Sequence, residues 1–521
     1  MRDDSPGLRI YDGIRITLAL IGCTLSSGIV FGFPALKPVL IDYGAYSNLC
    51  SKVELGPHHS CTAQELRLDQ LFVFSIGANH VAVLPVIIFL DRYGPKLCGI
   101  LGSILLAVGA HLIARVDEIG RVDSYLWGFL MLAVAGQFVL FSALHLSNLF
   151  PRQSSAILAL FSGAYYASSG VFAAYNLINY TTTTIAPRTW FTFYQAVPCF
   201  IALFHIVLVP ADSYQTVSDV TCAVVAGVPQ VPQRLYASVR QFTIQDQFES
   251  LLSDHERQTG QIEGQCADVV IDDEGYTPRK ITDPTRNCGV WGALHRMPLT
   301  LQLQSRWFNL IAALSAVLAL RVNHLIATVH SQYQVILTAT NEVSPEASHN
   351  QVDLISMILA YALPLSCLIT PVICLLLDHF SASTVLTLTV LMSIVSLLTN
   401  VVQTFSTGVV TVVISAFLRP LYHEVISDTI SKVFGFNTYG MVYGLVFAIS
   451  GISSQLIVAL NWISHRYALC GTEAVNVAIL LSTIIIGTIT TRYLWDQARR
   501  GYPSLAIRDS MFVRSYGAIT V

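Results

Sequence analysis

About twelve separate stretches of roughly 20 mostly apolar residues run through this 521-residue chain. They are 14–40, 69–90, 97–115, 124–149, 153–178 and 189–211 in the first half, and 306–328, 352–377, 383–400, 406–430, 438–463 and 473–492 in the second. A bilayer core about 30 Å thick needs about 20 such residues per helix, so each stretch is long enough to cross it. A β-barrel would show alternating segments of about ten residues instead. Composition agrees: 53% of residues are hydrophobic, 12% are charged and mean hydropathy is +0.59, whereas a soluble domain carries about 25% charge. The net charge of -3 supplies no basic field for nucleic acid. The predicted class is an all-α integral membrane protein with twelve transmembrane helices in two six-helix bundles.

The predicted organisation is an N-terminal segment 1–13, a bundle over 14–211, a central loop 212–305, a second bundle over 306–492 and a tail 493–521. The first apolar stretch is too long for a signal-peptide core and no A-x-A-like site follows it, so it reads as a retained helix. With the N-terminus in the cytoplasm, roughly 20 of the 29 Lys and Arg fall on the cytoplasmic side and about 6 outside. Both termini are then cytoplasmic. The central loop holds about 19 charged residues in about 94, including Asp272-Asp273-Glu274. It reads as a solvated linker, with a short helix near 234–258, or as a regulatory docking segment. Cys50 and Cys61 share the first outward loop. An oxidising outer face favours a disulfide between them; two free thiols, or one paired with Cys470, are the alternatives. The sequon Asn179-Tyr180-Thr181 lies close to the membrane.

After the second helix comes Leu90-Asp91-Arg92-Tyr93-Gly94-Pro95-Lys96, echoed after the eighth by Leu377-Asp378-His379-Phe380. A short turn needs Gly94 for its backbone. Asp91 can cap or pair with a neighbouring helix end, and Arg92 and Lys96 hold the turn at the membrane surface. Such charges can latch one conformation and release it in another. An ionisable residue inside a bilayer costs about 2.5–3.5 kcal/mol and therefore marks function or a buried pair. Arg419 stands in the tenth helix with His423 one turn on and Glu424 beside it; Arg321 stands in the seventh, followed by Asn323 and His324. Each arginine either holds a substrate carboxylate through bidentate bonds or ties helices together. Ser26-Ser27-Gly28 in the first helix, Ser162 to Gly170 in the fifth (Tyr165, Tyr166, Ser168 and Ser169 among them) and Tyr439 to Gly451 in the eleventh, with Tyr443, combine small and hydroxylated residues. That pattern permits close helix approach and also suits a cavity for a small polar solute. Asn79-His80 and His145 read as core polar groups, with proton sites as the alternative. No metal cluster, nucleophile motif or nucleotide loop is visible, so no enzyme, metal or cofactor is expected.

Six plus six helices about a central loop, with a D-R-x-G turn after the second, resemble the major facilitator superfamily. One departure is Ile87, where the superfamily signature begins with glycine. Gly28 to Leu40, Leu90 to Gly94, Leu146 to Arg152, Ser162 to Ser169, Leu320 to Asn323 and, above all, Arg419-Pro420-Leu-Tyr422 through Ser427-Asp428 to Lys432-Val-Phe-Gly435 and Tyr439 to Leu445 are similar to solute carrier family forty-three, especially its fungal branch. The resemblance covers nearly the whole membrane portion and fails in the central loop. A second departure is Tyr166, where relatives often carry an acidic residue. The resemblance implies sodium-independent facilitated transport of large neutral amino acids by alternating access. Arg321 or Arg419 would donate to the carboxylate, with Ser26, Ser27, Gly28, Tyr165, Tyr166, Ser168, Ser169, Asn323, His423 and Tyr443 around the solute. Asp91, Arg92, Gly94, Lys96 and Asp378 would form the conformational motif. A small-molecule substrate and the lipid bilayer are the expected partners, with no nucleic acid, and the chain is expected to be a monomer in the plasma membrane or a vacuole-like membrane. A proton-coupled carrier of another organic solute, using His80, His145, His423 or Glu424, and a non-transporting membrane sensor are the competing functions.

Overall fold

In the computed structural model the described residues are 6–50, 61–118, 123–149, 154–181, 184–210, 293–295, 297–339, 345–402, 404–466 and 471–500. The central loop as far as residue 292, Cys470 and the tail from 501 lie outside them. Ten helices are long and apolar enough to cross a membrane, and one further pair, Asp12–Ser26 with Ile29–Asp42, forms a single span bent by 46°. One of the ten, Thr62–Ala114, is 53 residues long, about 80 Å at 1.5 Å per residue and far more than one bilayer. It holds two spans that meet at Gly94, whose φ of 78° is open to glycine and strained for other residues. With the bent pair counted as one span, the described residues hold twelve candidate crossings, the number the apolar stretches predict.

Span one is the bent pair, and spans two and three are the two arms of Thr62–Ala114. Spans four to six are Ser124–Ser147, Ala156–Thr181 and Pro187–Leu208. Spans seven to twelve are Arg306–Gln334, Asn350–His379, Ala382–Val402, Phe405–Phe434, Thr438–Ser464 and Glu473–Arg499. The halves meet along a seam where span two packs on span eleven and span five on span eight. Glycine makes the first contact possible: a Cβ on Gly440 would stand 2.9 Å from Ile87, and one on Gly444 the same distance from Leu84. The close packing that a glycine at position 87 would supply is thus supplied from the opposite helix.

One end of the bundle carries the bridge between Cys50 and Cys61, whose Cα atoms are 5.8 Å apart, so the alternatives with free thiols or Cys470 fall away. At the same end Asp123 caps span four. Its carboxylate accepts from the Leu126 amide at 3.0 Å and the Tyr46 hydroxyl at 2.6 Å, and pairs with Arg67 at 2.7 Å. Partial burial works against the charge. The three hydrogen bonds and the Arg67 charge outweigh it and hold the carboxyl below the ordinary carboxylate range. A depressed folded-state pKa stabilises the fold above the unfolded carboxyl's value near ~3.9, and that stability is lost as pH falls through the folded value. Replacing Asp123 by Ala is expected to cost about 1–2 kcal/mol at neutral pH and to flatten the acid limb of a pH-stability curve measured on purified protein; an unchanged limb would remove Asp123 from the account.

Candidate functional site

Spans one and five are both broken at mid-length, and the breaks interlock. Span one stops being α-helical at Ser26 and resumes at Phe33 after a single 3-10 turn, Ile29–Gly32. Span five breaks between Ala167 and Gly170. The Gly28 amide donates to Ser168 Oγ at 2.9 Å. A Cβ on Gly28 would sit 2.4 Å from the Tyr165 carbonyl oxygen, and one on Gly32 2.4 Å from that of Ser169. These glycines let two unwound backbones touch where any side chain would force them apart. The serines of both breaks are spent internally: Ser26 donates to the Gly22 carbonyl at 2.7 Å, Ser27 to Cys23 at 2.6 Å and Ser169 to Tyr166 at 2.8 Å.

The interlocked breaks present Phe31, Tyr165 and Tyr166 to the second half, and Arg419 of span ten lies against them. Its guanidinium carbon is 3.3 Å from the Phe31 ring centre, 5.5 Å from Tyr165 and 5.3 Å from Tyr166. The side chain is 1% exposed. None of its three guanidinium nitrogens has a hydrogen-bond acceptor at good geometry among the described residues, although the Tyr165 phenol is within electrostatic reach. Cation–π contacts return about 2 kcal/mol when desolvated, short of the several kcal/mol that burying an ion costs. The rings around it are held in place. Tyr165 donates to Asn79 Oδ1 at 3.1 Å, and Gln137 donates to the same oxygen at 2.9 Å. His80 stacks on His423 with centroids 5.7 Å apart, His423 on Phe447 at 5.0 Å, and Phe447 meets Tyr443 at 4.4 Å. Among the described residues, both ring nitrogens of His80, Nε2 of His423 and the Tyr422 hydroxyl are buried without partners. One and a half turns from Arg419, Glu424 accepts from the Tyr166 hydroxyl at 3.5 Å with Ser162 as a second hydroxyl neighbour.

The expected site residues therefore separate into two places. Gly28, Tyr165, Tyr166, Ser168, Arg419, His423 and Tyr443 gather at the seam. Ser26, Ser27 and Ser169 adjoin it with their hydroxyls already engaged. Arg321 and Asn323 are held inside the second half: Arg321 Nη2 donates to Ser396 and, at 3.1 Å, to Ser415, while Asn323 donates to Ser454 at 3.1 Å. The seam also contains Phe31, Phe447 and Tyr422, which sequence patterns do not separate from ordinary core residues, and Asn79-His80, which read as core. The structure places Asn79 as the anchor of Tyr165 and His80 in the ring stack. Among the described residues no cluster of His, Cys, Asp and Glu suits a metal.

No family model matches the chain. It is 33% identical over 492 residues to Protein FMP42 of Saccharomyces cerevisiae, covering 93% of this chain and 94% of that protein. The chain belongs to the FMP42 family. Shorter matches are the mouse large neutral amino acids transporter small subunit 3, 28% identical over 207 residues (37% of this chain, 36% of that protein), and the bovine equilibrative nucleobase transporter 1, 24% identical over 176 residues (33% and 36%). Among solved structures, a D-xylose-proton symporter aligns with a TM-score of 0.55 at 10% identity over 93% of this chain and 97% of that one. That likeness establishes the major facilitator fold. This member of the FMP42 family is a multi-pass membrane protein with the major facilitator fold.

Charged groups guard both ends of its seam. At the disulfide end Lys37 pairs with Asp69 at 2.7 Å, both buried in the first half. Beside them His330 of span seven lies 3.8 Å from Glu65 of span two and 3.5 Å from Asp353 of span eight, so it bridges the halves. At the other end Gly94 makes the turn, Arg92 lies over Tyr93 at 5.6 Å and Asp91 is within electrostatic range of His145 at the end of span four. The second half repeats the arrangement: Asp378 is near Asp428, which pairs with Lys432 at 2.7 Å at the end of span ten. Neutralising one member of the buried Lys37–Asp69 pair strands the other. Asp69→Asn is expected to cost about 3–5 kcal/mol, and adding Lys37→Met should restore most of it; unfolding midpoints of the two variants test this, and a double variant no more stable than the single one would contradict it.

Proposed function

We propose that this protein is a transporter that carries large neutral amino acids by facilitated, sodium-independent transport, rocking its two six-helix halves about the seam at Arg419. The observation that carries the reading is a buried guanidinium at the junction of four spans with cation–π contacts but, among the described residues, no carboxylate and no acceptor at good geometry for its nitrogens. A solute carboxylate supplies two oxygens in the fork geometry that arginine prefers. Glu424, whose neighbours are hydroxyls, offers an acceptor for an ammonium group. Phe31, Tyr165, Tyr443 and Phe447 supply apolar surface for the side chain. The match to a large neutral amino acids transporter supports this class of solute. Gly94 and the charges after spans two and eight act as the conformational motif. The bias of Lys and Arg supports cytoplasmic termini and a cytoplasmic central loop, and a monomer suffices for the mechanism.

The stacked histidines favour a second reading. His80 and His423 together leave three ring nitrogens unpartnered between the halves, and with Glu424 they could couple a proton to another organic solute. Uptake of labelled leucine into proteoliposomes separates the two. Arg419→Gln is expected to reduce counterflow by at least about a hundredfold, from the ~3 kcal/mol or more that truncating one partner of a buried charge pair costs, with the protein still folded and reconstituted. Counterflow unchanged in that variant removes Arg419 from the site. Leucine counterflow that is the same at pH 5.5 and 7.5 excludes the proton-coupled reading.

A further inference from the structure

Arg321 poses the same electrostatic problem as Arg419 in a different place. It is 3% exposed at the middle of the second half. Two hydroxyls, Ser396 and Ser415, take its Nη2; Nε and Nη1 are buried without hydrogen-bond partners, and it has no ion-pair partner among the described residues. Spans seven and nine contain no Asp or Glu at all; in span ten Glu424 and Asp428 lie more than two turns from Ser415, and in span twelve Glu473, one turn from Asn476, is exposed. Hydroxyls solvate a cation but do not neutralise it, so the burial cost stands uncompensated.

Beside the guanidinium is a small cavity of about 10 Å³, lined by Arg321, His324, Asn400, Thr411 and Asn476 together with three aliphatic side chains. That is room for the centre of one water-sized particle. Its polar lining is biased toward donors. Asn476 Nδ2 is buried without a partner. Asn400 already uses its carbonyl to accept from Tyr333 at 3.1 Å, which leaves its amide hydrogens for an occupant. Thr411 spends its hydroxyl hydrogen on Thr399 at 2.8 Å. A water molecule could accept from the two amides and donate to the Thr411 oxygen, but it would leave the arginine charge uncancelled. A monatomic anion accepts from Arg321 and from the Asn400 and Asn476 amides and cancels that charge.

We propose that this cavity is a binding site for a small monovalent anion of the chloride class. It shares no lining residue with the solute site, although Ser415, which binds Arg321, lies one turn from Arg419 on span ten. Neutralising the first arginine within the second half leaves the second as the unpaired cation at the seam.

The test uses purified full-length protein in gluconate buffer, titrated with bromide at constant ionic strength. The unfolding midpoint is expected to rise saturably by about 2 °C or more, and bromine anomalous scattering from crystals should place one ion against Arg321. Asn476→Ala should weaken half-saturation by about tenfold, the loss of one hydrogen bond to a charge, and Arg321→Gln should abolish the shift. If Arg321→Gln does not fold, Asn476→Ala decides. Equal midpoints in bromide and gluconate, a bromide effect that Asn476→Ala leaves untouched, or an ordered water with no bromine signal in the cavity would overturn the proposal. No solute enters any of these measurements, so they stand or fall independently of leucine transport.

Discussion

A charge far from water must find its partner within the protein or in what the protein binds. That constraint organises this molecule. Lys37 has Asp69 at 2.7 Å, and Lys432 has Asp428 at 2.7 Å. Among the described residues Arg419 has aromatic rings and no carboxylate, and Arg321 has two hydroxyls. The paired charges sit toward the ends of the spans, each within one half; the two without carboxylates sit at depth, where an unmatched cation is most costly. A transporter can use that cost. An occupant that satisfies the cation is bound by the amount the protein alone cannot recover.

The backbone meets the same constraint by a different route. Spans one and five are both unwound at mid-membrane, which lipid does not tolerate unless the freed groups are buried in protein. Here they satisfy one another through Gly28 and Ser168, and the glycines at 28 and 32 keep the contact as close as the carbonyls of Tyr165 and Ser169 permit. The unwinding aims Phe31 and Tyr165 at the second half, which regular helices in register would not do. A local weakness of the helix thereby becomes the geometry of the site.

Much of this is legible before any coordinates. Twelve crossings follow from apolar run length alone, because the bilayer sets a length that each helix must meet. Gly94 is recognisable because a tight turn needs its φ, and Arg419 because arginine in a span is too costly to be incidental. Arg321 carries the same signal yet has a different location, since run length and composition do not say which way a helix face points once spans pack. Phe31 and Phe447 do not stand out in the sequence for a related reason: one phenylalanine among 25 reads as core until a neighbour's charge singles it out. Ile87 shows the converse. A missing glycine looks like a packing defect in one helix, but packing is shared, and Gly440 on the partner helix removes the conflict.

Solute recognition by an otherwise unmatched cation is the account's centre, and ligand binding tests it without any transport step. Purified protein should bind leucine saturably, and leucinamide, which keeps the side chain and the amine but replaces the carboxylate with a neutral amide, should bind at least about a hundredfold more weakly. Equal affinity for the two would mean that Arg419 meets some other group, and the central claim would be wrong.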